Sequence, residues 1–365
     1  MNQLTEQQVA EIKKILQDFQ HITLKQDLIA LNAFKKTELG GDTLRIELVM
    51  PFAWQSGFNA LKAETEAKLK ALTNAQNVKW VLNYQIATLK RANNHPAVNG
   101  VKNIIAVTSG KGGVGKSTTS VNLALALKAQ GARVGLLDAD IYGPSIPHML
   151  GAADQRPTSP DNKHITPIEA HGIYSNSIGY LMEPDNATIW RGPMASSALS
   201  QLLQETWWPD LDYLVIDMPP GTGDIQLTLS QQIPVTGALV VTTPQDIALL
   251  DAIKGISMFE RVSVPVLGII ENMSVHICSN CGHSEAIFGT GGANKVAERY
   301  HTQVLGQLPL HIRLREDLDN GIPTVVAAPE HEISQAYAEL AAKVAAELYW
   351  QGSVIPSEIM IREVK

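Results

Sequence analysis

Between residues 109 and 118 the chain reads Ser109-Gly110-Lys111-Gly112-Gly113-Val114-Gly115-Lys116-Ser117-Thr118, and no other segment limits its fold as strongly. From Gly110 to Ser117 it fits G-x-x-x-x-G-K-[ST], a loop whose glycines let successive backbone N–H groups converge on a phosphate with no Cβ in the way. In such a cradle Lys116 neutralises β/γ oxygens and the Ser117 hydroxyl ligates Mg²⁺. Lys111 is not needed for the cradle. A second cation there suits a loop that faces another subunit, with Lys111 reaching the partner's phosphates. The flanks agree, because Ile104-Ile105-Ala106-Val107 is an apolar strand and 117–130 reads as an Ala/Leu-rich helix ended by Gly131.

From Val101 onward, apolar strands alternate with helices. The strands are expected at 103–108, 133–137, 213–216, 238–243 and 266–270. Unbroken apolar strands belong in a parallel sheet covered on both faces. The expected architecture is an α/β fold, a doubly wound and mostly parallel sheet, with ligand chemistry at the carboxyl ends of the strands.

Residues 1–92 read as a separate small α+β domain, 93–100 as a linker, and 101–365 as the domain that carries the phosphate loop. Thr5 and Gln8 form a capping box before Val9, Ile12, Ile15 and Leu16 at helical spacing. Leu44, Ile46, Leu48 and Met50 alternate as in a half-buried strand, 58–72 has helical periodicity, and Val78, Trp80, Leu82 and Tyr84 alternate again. Nothing in 1–92 forms an obvious chemical constellation. The polar, Gly- and Pro-bearing stretch around His95-Pro96 marks the linker.

Two further strands end in acids. Leu136-Leu137-Asp138-Ala139-Asp140 precedes the turn Tyr142-Gly143-Pro144-Ser145, and Asp140, further out on the loop, is placed to orient an attacking water. An N-cap or a solvated strand end is the alternative for both acids, and more so for Asp138. Tyr213-Leu214-Val215-Ile216-Asp217 has the form of a Walker B strand, so Asp217 would hold Mg²⁺ beside Ser117. The double-proline turn Met218-Pro219-Pro220-Gly221-Thr222-Gly223-Asp224 follows, a loop that can swing its N–H groups toward a γ-phosphate.

The chain has two cysteines, Cys278 and Cys281, which rules out a disulfide framework. They lie in a Gly/Ser/Asn-rich loop after the strand at 266–270. Two thiolates at C-x-x-C spacing form one face of a metal site, and a closed site needs about four ligands. A site shared by two copies, holding one iron–sulfur cluster, satisfies that count. Zinc held with His283 or His276, a redox dithiol, and two inert thiols are the alternatives.

Taken together, these segments resemble the Mrp/ApbC group of iron–sulfur cluster carriers, within the signature-lysine P-loop ATPases that include MinD and ParA. The likeness rests on 110–117, on 138–145, on 217–224 and on Cys278-x-x-Cys281, with Trp190-Arg191-Gly192-Pro193-Met194 as a further segment. It implies an ATP-hydrolysing homodimer that binds a labile 4Fe–4S cluster at its interface and passes it to apo-proteins, working with assembly scaffold proteins. It also implies that Lys111 acts in trans, that Asn272 contacts adenine and that Leu308-Pro309-Leu310 lines the base pocket. The N-terminal unit distantly resembles a small iron–sulfur assembly domain but lacks its cysteine. Pro51-Phe52-Ala53-Trp54 stands in the comparable place.

Charge and hydropathy bear on the alternatives. Lysines and arginines number 29 against 36 acids, a net charge of −7, which argues against nucleic acid as partner. No apolar run approaches the ~18 residues of a membrane span, and the N-terminus lacks a signal pattern, so a cytoplasmic protein is expected. The helix expected at 334–350 carries Glu339, Lys343 and Glu347 and is no basic membrane anchor, which counts against a MinD- or ParA-like positioning ATPase. An ATP-switched scaffold with structural zinc is the other reading.

Overall fold

A computed structural model of the protein describes residues 4–92, 95–182 and 192–356. The N-terminal part contains α1 (Glu6–Asp18), β1 (Phe34–Gly40), β2 (Thr43–Met50), α2 (Gln55–Thr73) and β3 (Asn77–Tyr84). The capping box forms as read. Thr5 Oγ1 accepts from the Gln8 N–H and the Gln8 side chain accepts from the Thr5 N–H. β2 lies between β1, antiparallel to it, and β3, parallel to it.

The larger part opens with β4 (Val101–Ser109), α3 (Lys116–Ala129), β5 (Val134–Asp138) and the single turn α4 (Ile146–Met149). It continues through β6 (Ile168–Ala170), β7 (Ile173–Ser177), α5 (Gly192–Gln204), β8 (Leu211–Asp217), α6 (Asp224–Gln232), β9 (Gly237–Thr242) and α7 (Asp246–Arg261). β10 (Val266–Ile277), β11 (Ser284–Glu285), α8 (Gly292–Arg299), β12 (Val304–Leu310), α9 (Ile312–Asp319), α10 (Thr324–Ala327) and α11 (Glu332–Gln351) complete it. Among the described residues the sheet order is β11-β10-β9-β4-β8-β5-β7-β6, with β12 also on β10. Pairing is parallel from β12 through β10, β9, β4, β8 and β5 to β7, and antiparallel only at β6 and β11.

Helices cover both faces, as the unbroken apolar strands require. Ile105 and Val107 point into the core beneath α3 and α11, while Ile104 and Ala106 point to the opposite core, which α5 and α7 close. The carboxyl ends of β4, β5 and β8 therefore meet at one edge. Three sequence expectations shift. The strand expected to end at 270 runs to Ile277, the helix expected from 117 starts at Lys116, and β1, whose Lys35 and Lys36 obscure any apolar alternation, is an added strand.

The core of the N-terminal part runs on into that of the larger part. Ile46 and Phe52 share one buried cluster with Leu127, Tyr337 and Leu348. At the end of α3, Gln130 accepts from the Ser56 N–H (2.9 Å) and hydroxyl (2.6 Å) and donates to Ala338 O (3.2 Å). The Phe52 ring lies 5.3 Å from that of Tyr349, and Trp350 Nε1 donates to Thr23 O (2.8 Å).

Candidate nucleotide and cysteine sites

The phosphate loop leaves β4 and enters α3 through Gly113 and Gly115, both at φ +81°. A side chain at Gly115 would also collide with Asn272, whose Nδ2 lies 2.2 Å from the position of a Cβ. Gly110 is constrained differently, since a Cβ there would meet the Asp251 carbonyl of α7 at 2.2 Å. Ser109 Oγ donates to Lys111 O (2.8 Å), and Gly112 and Gly113 are open to solvent. The loop keeps its shape without side chains filling its concave face.

Behind the loop, Lys116 and Asp217 are both buried, and Lys116 Nζ lies 2.8 Å from Asp217 Oδ2. The Ser117 hydroxyl donates to the same oxygen (2.6 Å), and Ser120, a residue that the sequence reading missed, donates to Asp217 Oδ1 (2.6 Å). One hydroxyl and one carboxylate oxygen side by side are the hard donors that Mg²⁺ takes, so Ser117 and Asp217 fit that ion. Lys111 is partly exposed and forms no ion pair among the described residues. Thr118 lines the adjoining cavity.

The two acids after β5 divide their work. Asp138 is fully buried and accepts from the backbone N–H groups of Asp140, Ser145 and Ile146 and from the Ser177 hydroxyl. It organises the turn. Burial, then the nearby Asp217, push its carboxyl up to about 7, against the pull of those donors and of Lys116. Asp140 sits on the turn, partly exposed, and burial raises its pKa while Lys116 opposes the rise. Trp190 and Arg191 lie outside the described residues.

Beside the loop a cavity of about 250 Å³ is lined by Gly115, Thr118, His148, Asn272, Met273, Pro309, Leu310, His311 and Arg315, among others. Asn272, Pro309 and Leu310 thus line one cavity beside the phosphate loop, whereas Leu308, expected to line it too, is fully buried in the core and does not. Asn272 Nδ2 donates to Val114 O (2.8 Å), so this side chain, on a strand and not in a turn, also braces the loop. His148 from α4 and Arg315 from α9 carry no sequence signal that would have placed them here.

Cys278 follows β10 directly, in the turn to β11. Cys278 N donates to His283 O (2.9 Å) and Gly282 N, at φ +71°, donates to Cys278 O (2.8 Å). The backbone N–H groups of Asn280 and Cys281 and the Cys281 thiol face the Cys278 sulfur and lower its pKa. Cys278 is partly exposed and Cys281 exposed, neither in a disulfide. Among the described residues no group of three or more His, Cys, Asp or Glu side chains is placed to hold a metal ion. Among the described residues, no helix is long and apolar enough to cross a membrane.

An iron–sulfur cluster carrier protein of Haemophilus influenzae is 76% identical over 363 residues, 99% of this chain and 98% of that one. The mouse iron–sulfur cluster transfer protein NUBPL is 51% identical over 253 residues, 69% of this chain and 79% of that one. A solved nucleotide-binding protein of Archaeoglobus fulgidus, in complex with ADP, superposes with a TM-score of 0.57 at 36% identity, covering 66% of this chain and 93% of that one. Residues 100–345 match the family model described as ParA, NUBPL iron-transfer P-loop NTPase, and the chain belongs to that family.

Proposed function

We propose that this chain is an ATP-hydrolysing carrier that holds a 4Fe–4S cluster between two copies, through Cys278 and Cys281 of each, and passes it to apo-proteins. The observation that carries the reading is the course of β10. One strand braces the phosphate loop through Asn272 and ends at the cysteine turn. The relatives named as cluster carriers support it. The cluster is cargo, and a partly exposed Cys278 beside an exposed Cys281 suits a site that must both load and release. Two thiols per chain reach about four only when two chains combine.

In this reading Lys116 and the loop N–H groups hold the β- and γ-phosphates, and Asp140 orients the attacking water. Ser117 and Asp217 hold Mg²⁺, which neutralises charge developing on the phosphate oxygens when bound. Lys111 reaches across the dimer to the partner's nucleotide. Residues 1–92 serve as a docking or regulatory unit for assembly scaffold proteins or recipients, and the protein works in a reducing cytoplasm, where the thiols stay free.

The test is anaerobic reconstitution with iron and sulfide, read by absorbance, Mössbauer spectra and metal analysis, beside the Cys278→Ala/Cys281→Ala double variant. About four iron and four sulfide per dimer, lost in the variant, are expected. Colourless protein with stoichiometric zinc would overturn the reading. Cys281→Ala alone should retain measurable ATPase activity and lose transfer to an apo-protein.

A further inference from the structure

β10 slips its register with β12 in two places. Ile269 pairs with Val304 and Ile270 with Gly306, a slip of one residue; pairing is then regular up to Asn272 with Leu308, and the next pair is His276 with Leu310. Four steps along β10 thus oppose two along β12, a bulge that leaves extra residues between the pairs. Inside it, Met273 has φ +57°. The other non-glycine residues with positive φ among those described lie in turns, bends or helix caps, so Met273 alone holds this conformation within a strand. A side chain makes the left-handed region costly, and methionine has no polar group with which to offset it.

What lies on each side of the bulge differs. Upstream, Glu271 is fixed at both oxygens, accepting from Gln307 Nε2 (2.7 Å) and from the Ala293 N–H (3.2 Å), and Asn272 holds Val114 O. Pairing with β9 ends at Glu271. Downstream, His276 and Ile277 pair with Glu285 and Ser284 in the short hairpin that carries both cysteines. Between them the Met273 side chain lines the base cavity, its Cε 3.8 Å from where a Cβ on Gly115 would stand. Ser274 Oγ pins the bulge by donating to Leu308 O (3.1 Å).

We infer that the Met273 bulge is a joint: a base in the cavity presses on the Met273 side chain and so resets the hairpin that holds Cys278 and Cys281. Met273 is a positioning residue, acting on the thiols through the backbone of 273–275. The inference rests on the nucleotide reading of the cavity and deepens the proposed function by naming how occupancy reaches the cargo site. A ligand shifts such an element only by contacts that differ between its two arrangements, and the Met273 side chain supplies that contact.

The experiment reads the thiols in cluster-free protein. Rates of iodoacetamide alkylation at Cys278 and Cys281 are measured by mass spectrometry with and without saturating MgADP. For the unmodified chain the two rates should differ by about threefold or more. Met273→Gly adopts positive φ freely and removes the side chain, so the ratio should fall to about one. Met273→Asn, which also tolerates positive φ, repeats the test should the glycine variant fold poorly. Met273→Leu keeps bulk and conformation and should keep the ratio. Rates indifferent to MgADP in the unmodified chain, or an unchanged ratio in both Met273→Gly and Met273→Asn, would overturn the joint. A thiol response without cluster binding in the reconstitution would sink the carrier reading and leave the joint standing. Cluster binding without a thiol response would do the reverse.

Discussion

Lys116 Nζ rests 2.8 Å from Asp217 Oδ2, and both side chains are buried at the floor of the phosphate loop. The two charges neutralise each other, so neither is buried alone. In the proposed function Lys116 would turn to phosphate and Asp217 to Mg²⁺, exchanging one compensated arrangement for another. Lys116→Ala removes one half. Turnover should fall by about 10²-fold or more, as when a transition-state donor is lost. Stability should fall as well, by about 3 kcal/mol, because the Asp217 carboxylate keeps only the Ser117 and Ser120 hydroxyls. Phosphate release and urea midpoints check both, and an unchanged midpoint would mean that the pair is not formed in solution.

Lys111 gives the opposite expectation. It stands apart from the buried pair, partly exposed and without an ion pair among the described residues. Lys111→Ala should leave ADP affinity within about threefold while lowering turnover by about 10²-fold, the signature of a group that acts only in the transition state. Calorimetry and turnover on the same preparation separate the two effects. Unchanged turnover would refute a role in trans.

Gly115 carries two constraints, φ +81° and the Asn272 amide in the space of any Cβ. Gly115→Ala should weaken ADP binding by about tenfold or more, since the strain of about 1 kcal/mol adds to the loss of the Asn272 brace. The companion Gly112→Ala, where a Cβ meets nothing within 4 Å, should cost far less. Equal losses in the two would show that backbone conformation at Gly115 is not what matters.

Asp138 makes the nucleotide-free protein sensitive to pH. Its carboxyl is raised from 3.8 to about 7, so the folded state binds the proton more tightly than the unfolded chain does. The stability this contributes is complete below about 4 and is lost as pH rises through about 7. Between pH 5 and 8 the unmodified chain should lose about 2 kcal/mol relative to Asp138→Asn, which cannot titrate. Thermal melts across that range test it, and parallel curves for the two proteins would contradict it.

The legible parts of this protein were those fixed by local spacing. The loop from Gly110 to Thr118, the acids at the ends of β5 and β8, and the Cys278–Cys281 pair depend on neighbours a few residues away, and each forms where its motif stands. Asn272 was placed only by family likeness, and the structure adds that it holds Val114 O. The continuation of β10 to Ile277 was not legible, because Glu271, Asn272, Ser274 and His276 are polar and their strand pairing comes from β12 and β11. Nor were His148 and Arg315, which reach the cavity from α4 and α9 through tertiary packing. The Met273 bulge could not be foreseen either, since methionine is not a residue that marks positive φ.

The aromatic contact of Phe52 with Tyr349 and Trp350 has a practical corollary for anyone who trims this chain. Cutting away the first hundred residues would strip the cover from the end of α11 and expose Tyr349 and Trp350, which pack on Phe52, to water. Such a fragment should aggregate on purification unless its surface is rewritten with polar side chains. Loss of ATPase activity on truncation would then report clumping of the remnant rather than a missing catalytic contribution.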